Sequence, residues 1–197
     1  MRARTATMAA AAAAAILATS AGAASADLLT NGTFEGTGSG SLAGWKSQNA
    51  SLALVPGGGG GFAAQVTRTA KDNYAILTAA KTVSTATAGT TYNADGRFMA
   101  PVGKSICLKL KETGAATTSA MSCAPGTGAW ATIPEVSYTV HTTGDGLNFL
   151  VLQQRAAAGD RFAVDNLSVT QGGGVIQPPA SLHAVARSST EIDLGWT

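Results

Sequence analysis

Between residues 28 and 171 the apolar side chains return at every second position in short runs, and helical periodicity is absent beyond the first 26 residues. That spacing constrains the fold most, because a period of two gives each run one face to bury and one to leave in water. Residues 91–99 show it most cleanly: Tyr92, Ala94, Gly96 and Phe98 share one face, and Asn93, Asp95 and Arg97 share the other. Ile106, Leu108 and Leu110 alternate with Cys107, Lys109 and Lys111, and Val136, Tyr138 and Val140 with Ser137, Thr139 and His141. Residues 147–152 are almost wholly apolar, as in a central strand covered on both sides, before the chain emerges at Gln153, Gln154 and Arg155. Many short strands at near-regular spacing predict an all-β chain, a β-sandwich or jelly roll.

Further strands are expected at residues 28–34, 51–55, 62–69, 74–77, 82–87 and 161–170, with glycine, proline and threonine between them. The glycine run at 57–61 has no Lys-Ser/Thr after it and opens no helix, which argues against a phosphate loop and reads as a flexible connection. Residues 1–26 read as a secretory signal: Arg2 and Arg4 make the charged start, 8–17 the apolar run, and Ala24-Ser25-Ala26 the cleavage site. The apolar run is too short and too rich in alanine to span a membrane. The expected protein is therefore secreted and extracellular, beginning at Asp27. Loss of Arg2 and Arg4 takes Lys+Arg from 13 to 11, against 11 Asp+Glu, so a nucleic-acid role has no electrostatic support.

Cys107 and Cys123 are the only cysteines, and export favours a bridge between them. In a hairpin turning around Gly114, Ala115 and Ala116, position 107 falls opposite 123, 109 opposite 121, and 111 opposite 119. The alternative is two free buried thiols. At the chain ends, Phe162, Val164, Leu167 and Val169 read as a closing strand interrupted by Asp165-Asn166, and Phe34 as part of an opening strand beside a turn at Asn31-Gly32. If those strands pair and close one sandwich, Glu35 and Asp165 come together. Two carboxylates converging with backbone carbonyls suit calcium.

After Gln171 the texture changes. Residues 172–179, with Gly172-Gly173-Gly174 and Pro178-Pro179, form a Gly/Pro linker. Residues 180–197 hold two strand-like pieces, with Trp196 in the second, and resemble the first two strands of a fibronectin type III domain. Fewer than about 20 residues cannot bury a core of their own. The expectation is a truncated second β-sandwich whose parent chain runs on past Thr197.

For the main unit, several motifs act together: N-G-T-F-E at 31–35, G-W at 44–45, T-Y-x-A-x-x-R-F at 91–98, Trp130, and F-A-V-D-N-L-S-V at 162–169. They resemble the secreted jelly-roll carbohydrate-binding modules of the family 4, 9 and 22 kind, over almost all of residues 27–171. The resemblance implies a structural calcium where the first and last strands meet, with the Thr33 carbonyl, Glu35 and Asp165 as ligands and Asp72 from a less clearly matching hairpin. It also implies a polysaccharide partner held on a sheet face or cleft by an aromatic ring and polar side chains. A pyranose offers an apolar C–H face for stacking and a hydroxyl rim that needs donors and acceptors. Trp45 and Trp130 match packing positions and Tyr92 falls on a core face, which leaves Tyr74 as the stacking candidate, followed by Tyr138. Tyr74 reads either as that ring or as a packed strand residue. The polar candidates are Asn93, Asp95 and Arg97 beside Lys109 and Lys111 on the following strand, joined by Gln153 and Arg155. The alternative for these is an ordinary solvated sheet face.

Catalysis finds little support in the residue inventory. His141 and His183 are the only histidines, too few for a histidine metal cluster, and there is no G-x-S-x-G elbow. Asp95 with Glu112 or Glu135 stays open as a carboxylate pair for glycoside hydrolysis, although nothing in the spacing selects them. The expected function is a non-catalytic carbohydrate-binding module that holds a parent glycoside hydrolase on polysaccharide, where tethering raises effective concentration. The alternatives are a structural or adhesive surface module without sugar binding, and a hydrolase built on the sandwich itself.

Overall fold

A computed structural model describes residues 25–172 and the backbone of 183–186 and 192–195. The body of the signal segment, most of the linker and Trp196 lie outside the described residues. Ten strands build the main unit: β1 (Trp45–Gln48), β2 (Ala50–Pro56), β3 (Phe62–Arg68), β4 (Tyr74–Thr78), β5 (Thr91–Met99), β6 (Ser105–Thr113), β7 (Ser119–Pro125), β8 (Trp130–Thr139), β9 (Gly146–Gln153) and β10 (Arg161–Gln171). They form two five-stranded sheets, one ordered β1-β4-β9-β6-β7 and the other β2-β3-β10-β5-β8. Neighbours pair antiparallel throughout. The all-β sandwich expected from the alternation is the fold. Separately, β11 (His183–Ala186) and β12 (Ile192–Gly195) pair as a two-stranded antiparallel sheet on the two pieces that the sequence marks.

The core lies between the two sheets and takes one face of every long strand. Ile106, Leu108 and Leu110 of β6 meet Tyr92, Ala94 and Phe98 of β5 there, with Phe149 and Val151 of β9 and Phe162 and Val164 of β10. Fully burying one such side chain contributes about 1.5–3 kcal/mol. The β6–β7 hairpin has the expected register, Cys107 opposite Cys123, Lys109 opposite Met121 and Lys111 opposite Ser119. The two cysteines are disulfide-bonded.

Three local expectations change. Residues 82–87 form no strand, and only Val83 bridges to Leu147. Residues 28–34 form no regular strand either, because Asn31 and Phe34 both take left-handed backbone, at φ 60° each. The segment nevertheless lies along β10, with Leu28 N donating to Val169 O at 2.7 Å and Leu167 N donating to Gly32 O at 2.9 Å. A side chain on Gly32 would collide with the Leu167 carbonyl, so this approach requires glycine. Third, β5 and β6 do not form a hairpin. They follow one another in sequence but belong to opposite sheets.

Candidate functional site

Because side chains alternate, the outer face of the first sheet follows from the strand registers. One row across it runs Gln48, Ala75, Leu152, Cys107, Cys123, and the next runs Lys46, Leu77, Leu150, Lys109, Met121. Asn148, Lys111 and Ser119 continue the face. Here β9 keeps apolar residues on both sides: Phe149 and Val151 enter the core, while Leu150 and Leu152 pack outside it with Ala75 and Cys107. The result is a groove of about 260 Å³ with an aliphatic floor of Leu150, Leu152 and Ala75. Gln48, Asn73, Gln154, Lys109 and Lys111 stand around that floor. Arg155 lies in an adjoining depression with Ser105, Gln154 and the disulfide.

The predicted site residues divide among five places. Lys109 and Lys111 line the groove and Arg155 borders it. Asn93, Asp95 and Arg97 lie on the outer face of the second sheet, on the far side of the sandwich, since they alternate with core residues of β5. The grouping of those three beside Lys109 and Lys111 is therefore corrected. Asp95 accepts a hydrogen bond from Ser168 Oγ at 2.9 Å on that far face. Tyr74 is also corrected: only 1% of its surface is exposed, and its ring packs on Phe162 at 5.3 Å between centroids. Its hydroxyl donates to Gln153 Oε1 at 2.8 Å, and Gln153 Nε2 donates to Asp160 Oδ2 at 2.7 Å. Lys104 pairs with the same Asp160 oxygen at 2.9 Å. Burial, reinforced by the nearby Asp160 charge, pushes the Tyr74 phenol upward. Tyr74 and Gln153 thus hold the core together and present no ring or amide to solvent. Tyr138 is likewise buried. Trp130 carries the glycine loop, its indole lying where any side chain on Gly58 would stand.

A second constellation lies beneath that glycine run, which is a closed, packed turn instead of a flexible connection. Gly57 N donates to Gly61 O at 3.0 Å. The Glu35 carboxylate occupies the space of a side chain on Gly61, and Glu35 Oε1 accepts from Phe62 N at 2.9 Å. At Gly57 a Cβ would stand within 3.0 Å of Gly60 O, Asp165 Oδ2 and Phe62 O, so two carbonyls and a carboxylate crowd one point. Asp165 precedes a β-bulge in β10, where Asn166 takes left-handed backbone at φ 49°. Its carboxyl is only 3% exposed. Burial first, and the Glu35 charge as well, push it up, against hydrogen bonds from the Asn166 and Gly58 amides and the charge of Arg97. Thr33 lies in the turn two residues before Glu35. Asp72 does not join them: it follows β3 at the end opposite Phe62, about 20 Å along seven residues of strand. There it is 81% exposed and pairs with Arg68 at 3.5 Å.

Of the carboxylate pairs considered for hydrolysis, Asp95 and Glu112 come apart, Asp95 lying on the outer face of the second sheet and Glu112 in the interior at the end of β6, whereas Asp95 and Glu135 are both exposed and neighbour each other at the β5–β8 bulge. Sequence reasoning missed Gln48, Asn73, Leu150, Leu152 and Gln154. The almost wholly apolar run of β9, interrupted only by Asn148, was the available signal. One side of it is covered by the core and the other is the groove floor.

The fold is shared with solved carbohydrate-binding modules. TmCBM61, solved with β-1,4-galactotriose, matches at TM-score 0.51 and 20% identity, covering 75% of this chain and 100% of its own. The CBM22-1 xylan-binding domain of Paenibacillus barcinonensis Xyn10C matches at TM-score 0.56 and 13% identity, over 75% of this chain and 95% of its own. The CBM22-1-GH10 modules of Clostridium thermocellum Xyn10B, solved with xylohexaose, match at TM-score 0.53 and 14% identity over 68% of this chain and 27% of theirs. Comparison with curated proteins gives no match. At the sequence level, residues 26–157 fit the carbohydrate binding domain model CBM_4_9, a span that starts just before the Asn31–Glu35 motif and takes in every groove residue named above. The chain belongs to that family of carbohydrate-binding domains, and its sandwich is a binding module, not a catalytic one.

Proposed function

We propose that the groove on the outer face of the first sheet is where this module takes up a polysaccharide chain, and that binding tethers the parent protein to the polymer. The observation that carries the reading is an aliphatic floor outside the core, bordered by amides and amines drawn from β1, β4, β6 and β9 and their adjoining turns. Leu150 offers contact to the C–H faces of sugar rings over the buried Leu152 and Ala75, and Gln48, Asn73 and Gln154 offer hydrogen bonds to hydroxyls. Xylan and galactan, the polymers of the matched modules, are the first to try. In a retention assay on immobilised polysaccharide, Gln48→Ala and Gln154→Ala should each weaken binding about 2- to 10-fold, the worth of one or two hydrogen bonds. Asp95→Ala, on the far face, should leave binding unchanged. Loss with Asp95→Ala and not with the groove variants would move the site to the second sheet. A folded protein retained by no polysaccharide would make this a structural module.

Calcium belongs to the same reading as a structural ion. Glu35, Asp165 and the carbonyls of Gly60 and Phe62 supply oxygen donors only, with two carboxylate charges, as calcium prefers. When bound, the ion would neutralise the repulsion between the carboxylates and join the opening segment, the glycine turn and β10. The cradle is on the opposite side of the sandwich from the groove. Export fits the leader-like residues 1–26 and the Cys107–Cys123 bridge. The Gly/Pro segment at 172–179 serves as the link to further domains, the first of them fibronectin type III-like.

A further inference from the structure

The glycan groove has two peculiarities that bear on the class of chain it accepts. First, it presents no exposed aromatic ring for sugar to stack on, since Tyr74, the one aromatic residue of its lining, is 1% exposed. Trp45, Tyr74, Tyr92, Tyr138, Phe34, Phe98, Phe149 and Phe162 are all buried in the core, and Trp130 is stacked by the glycine turn on the other sheet. The usual source of contact with a neutral pyranose is therefore missing. Second, the strand positions of the face carry charge of one sign, the nearest acid being Asp72, which stands in the turn beside Gln48 and Asn73 and pairs with Arg68. Lys46, Lys109 and Lys111 stand on the face and Arg155 at its border, while no strand position there holds Asp or Glu. The ion pairs among the described residues are Arg68–Asp72, Lys104–Asp160 and His141–Glu112, and none involves those four cations. The second sheet differs, since its outer face mixes Asp95 and Asp165 with Arg97 and Arg161. The clustering is one of placement, because residues 27–197 carry equal numbers of acids and bases.

Lys109 and Lys111 are two residues apart on one strand, so their stems rise about 7 Å apart from the same side. Two ammonium groups held side by side repel each other unless an anion lies between or along them. A polymer with a charge on successive units can meet both at once, with its ring edges against Leu150. We propose that the groove selects an acidic polysaccharide, a chain whose sugars bear carboxylates such as uronic acids, with Lys109 and Lys111 as the specificity-determining residues. The inference rests on the groove being the glycan site.

The test uses the full chain in affinity electrophoresis. The probes are polygalacturonate, the same polymer fully methyl-esterified, a sulfated galactan, neutral β-1,4-galactan, and polyglutamate as a polyanion without sugar. Retention should be strongest on polygalacturonate and fall on esterification. Raising salt from about 0.05 M to about 0.5 M should weaken it, as the screening length shortens. Lys109→Gln and Lys111→Gln should each reduce retention about 3-fold and together about 10-fold, on the scale of solvent-screened charge pairs. Arg161→Gln, on the opposite face, should not. Retention on the sulfated galactan equal to that on polygalacturonate would overturn the carboxylate preference. Equal binding to acid and ester, unchanged by the lysine variants, would overturn the charge selection and leave a neutral glycan groove standing. Equal retention on polyglutamate would overturn it in favour of unspecific charge. No retention on any polysaccharide would remove the glycan reading beneath it.

Discussion

Glu112 is fully buried at the core end of β6, where the alternation that places Ile106, Leu108 and Leu110 inward carries a carboxylate in with them. Its oxygens accept from the His141 amide at 3.0 Å, the Thr142 amide at 2.9 Å and the Tyr138 hydroxyl, and they face His141 Nδ1 at 3.2 Å. Burial alone would raise its pKa, but these hydrogen bonds, led by Tyr138, more than offset that and hold it at about 2 instead of 4.5. A folded-state pKa below the unfolded one gives stability that is complete above about 4.5 and lost as pH falls toward 2. That loss should be on the order of 3 kcal/mol. Glu112→Gln should cost a few kcal/mol at neutral pH, about 2–3, by setting an amide donor against backbone donors. Urea midpoints across the acid range should fall less steeply in Glu112→Gln than in the wild type, and parallel curves would contradict the role. The alternation of Ile106, Leu108 and Leu110, carried two residues further, would have put Glu112 on the inward face of β6. The sequence could not reveal the amides of a turn some thirty residues away that make this burial tolerable, and so left Glu112 open as a catalytic partner of Asp95.

At the scale of elements, each strand's two faces were legible from period-two spacing, and the sheet to which a strand belongs was not. The β6–β7 hairpin came out in register because its turn is local. The β5–β6 connection also looks like a hairpin in sequence, yet it crosses between sheets, which sends Asn93, Asp95 and Arg97 away from Lys109 and Lys111. The glycine run at 57–61 shows the same limit. Composition suggests looseness, but the Glu35 and Asp165 carboxylates fill the space that side chains on Gly61 and Gly57 would need. If calcium joins these elements, a chelator should lower Tm. At a hundredfold excess over Kd the ion contributes about 2.7 kcal/mol, or about 5–10 °C for a unit of this size. Asp165→Ala should remove that sensitivity, and an unchanged Tm on chelation of a metal-loaded sample would contradict the role. Glycan retention by Asp165→Ala should persist at temperatures where the variant is folded, because the groove is on the other sheet.

Across the whole molecule the two faces of the sandwich are built differently. One side joins the opening segment to β10 through Glu35, Asp165 and the glycine turn, and the other leaves apolar side chains of β9 outside the core under a rim of amides and amines. A carbohydrate-binding domain needs a rigid sheet beneath its ligand, and β9 and β6 supply it from the interior of the first sheet, each paired on both edges. The placement of the groove on this face is the central claim, and amide chemical-shift mapping of the labelled full chain against soluble fragments of a retained polysaccharide tests it directly. The predicted perturbations cluster at Gln48, Ala75, Lys109, Lys111, Leu150, Leu152 and Gln154. Perturbations confined instead to Asn93, Asp95, Arg97 and the outer face of β10 would contradict the account.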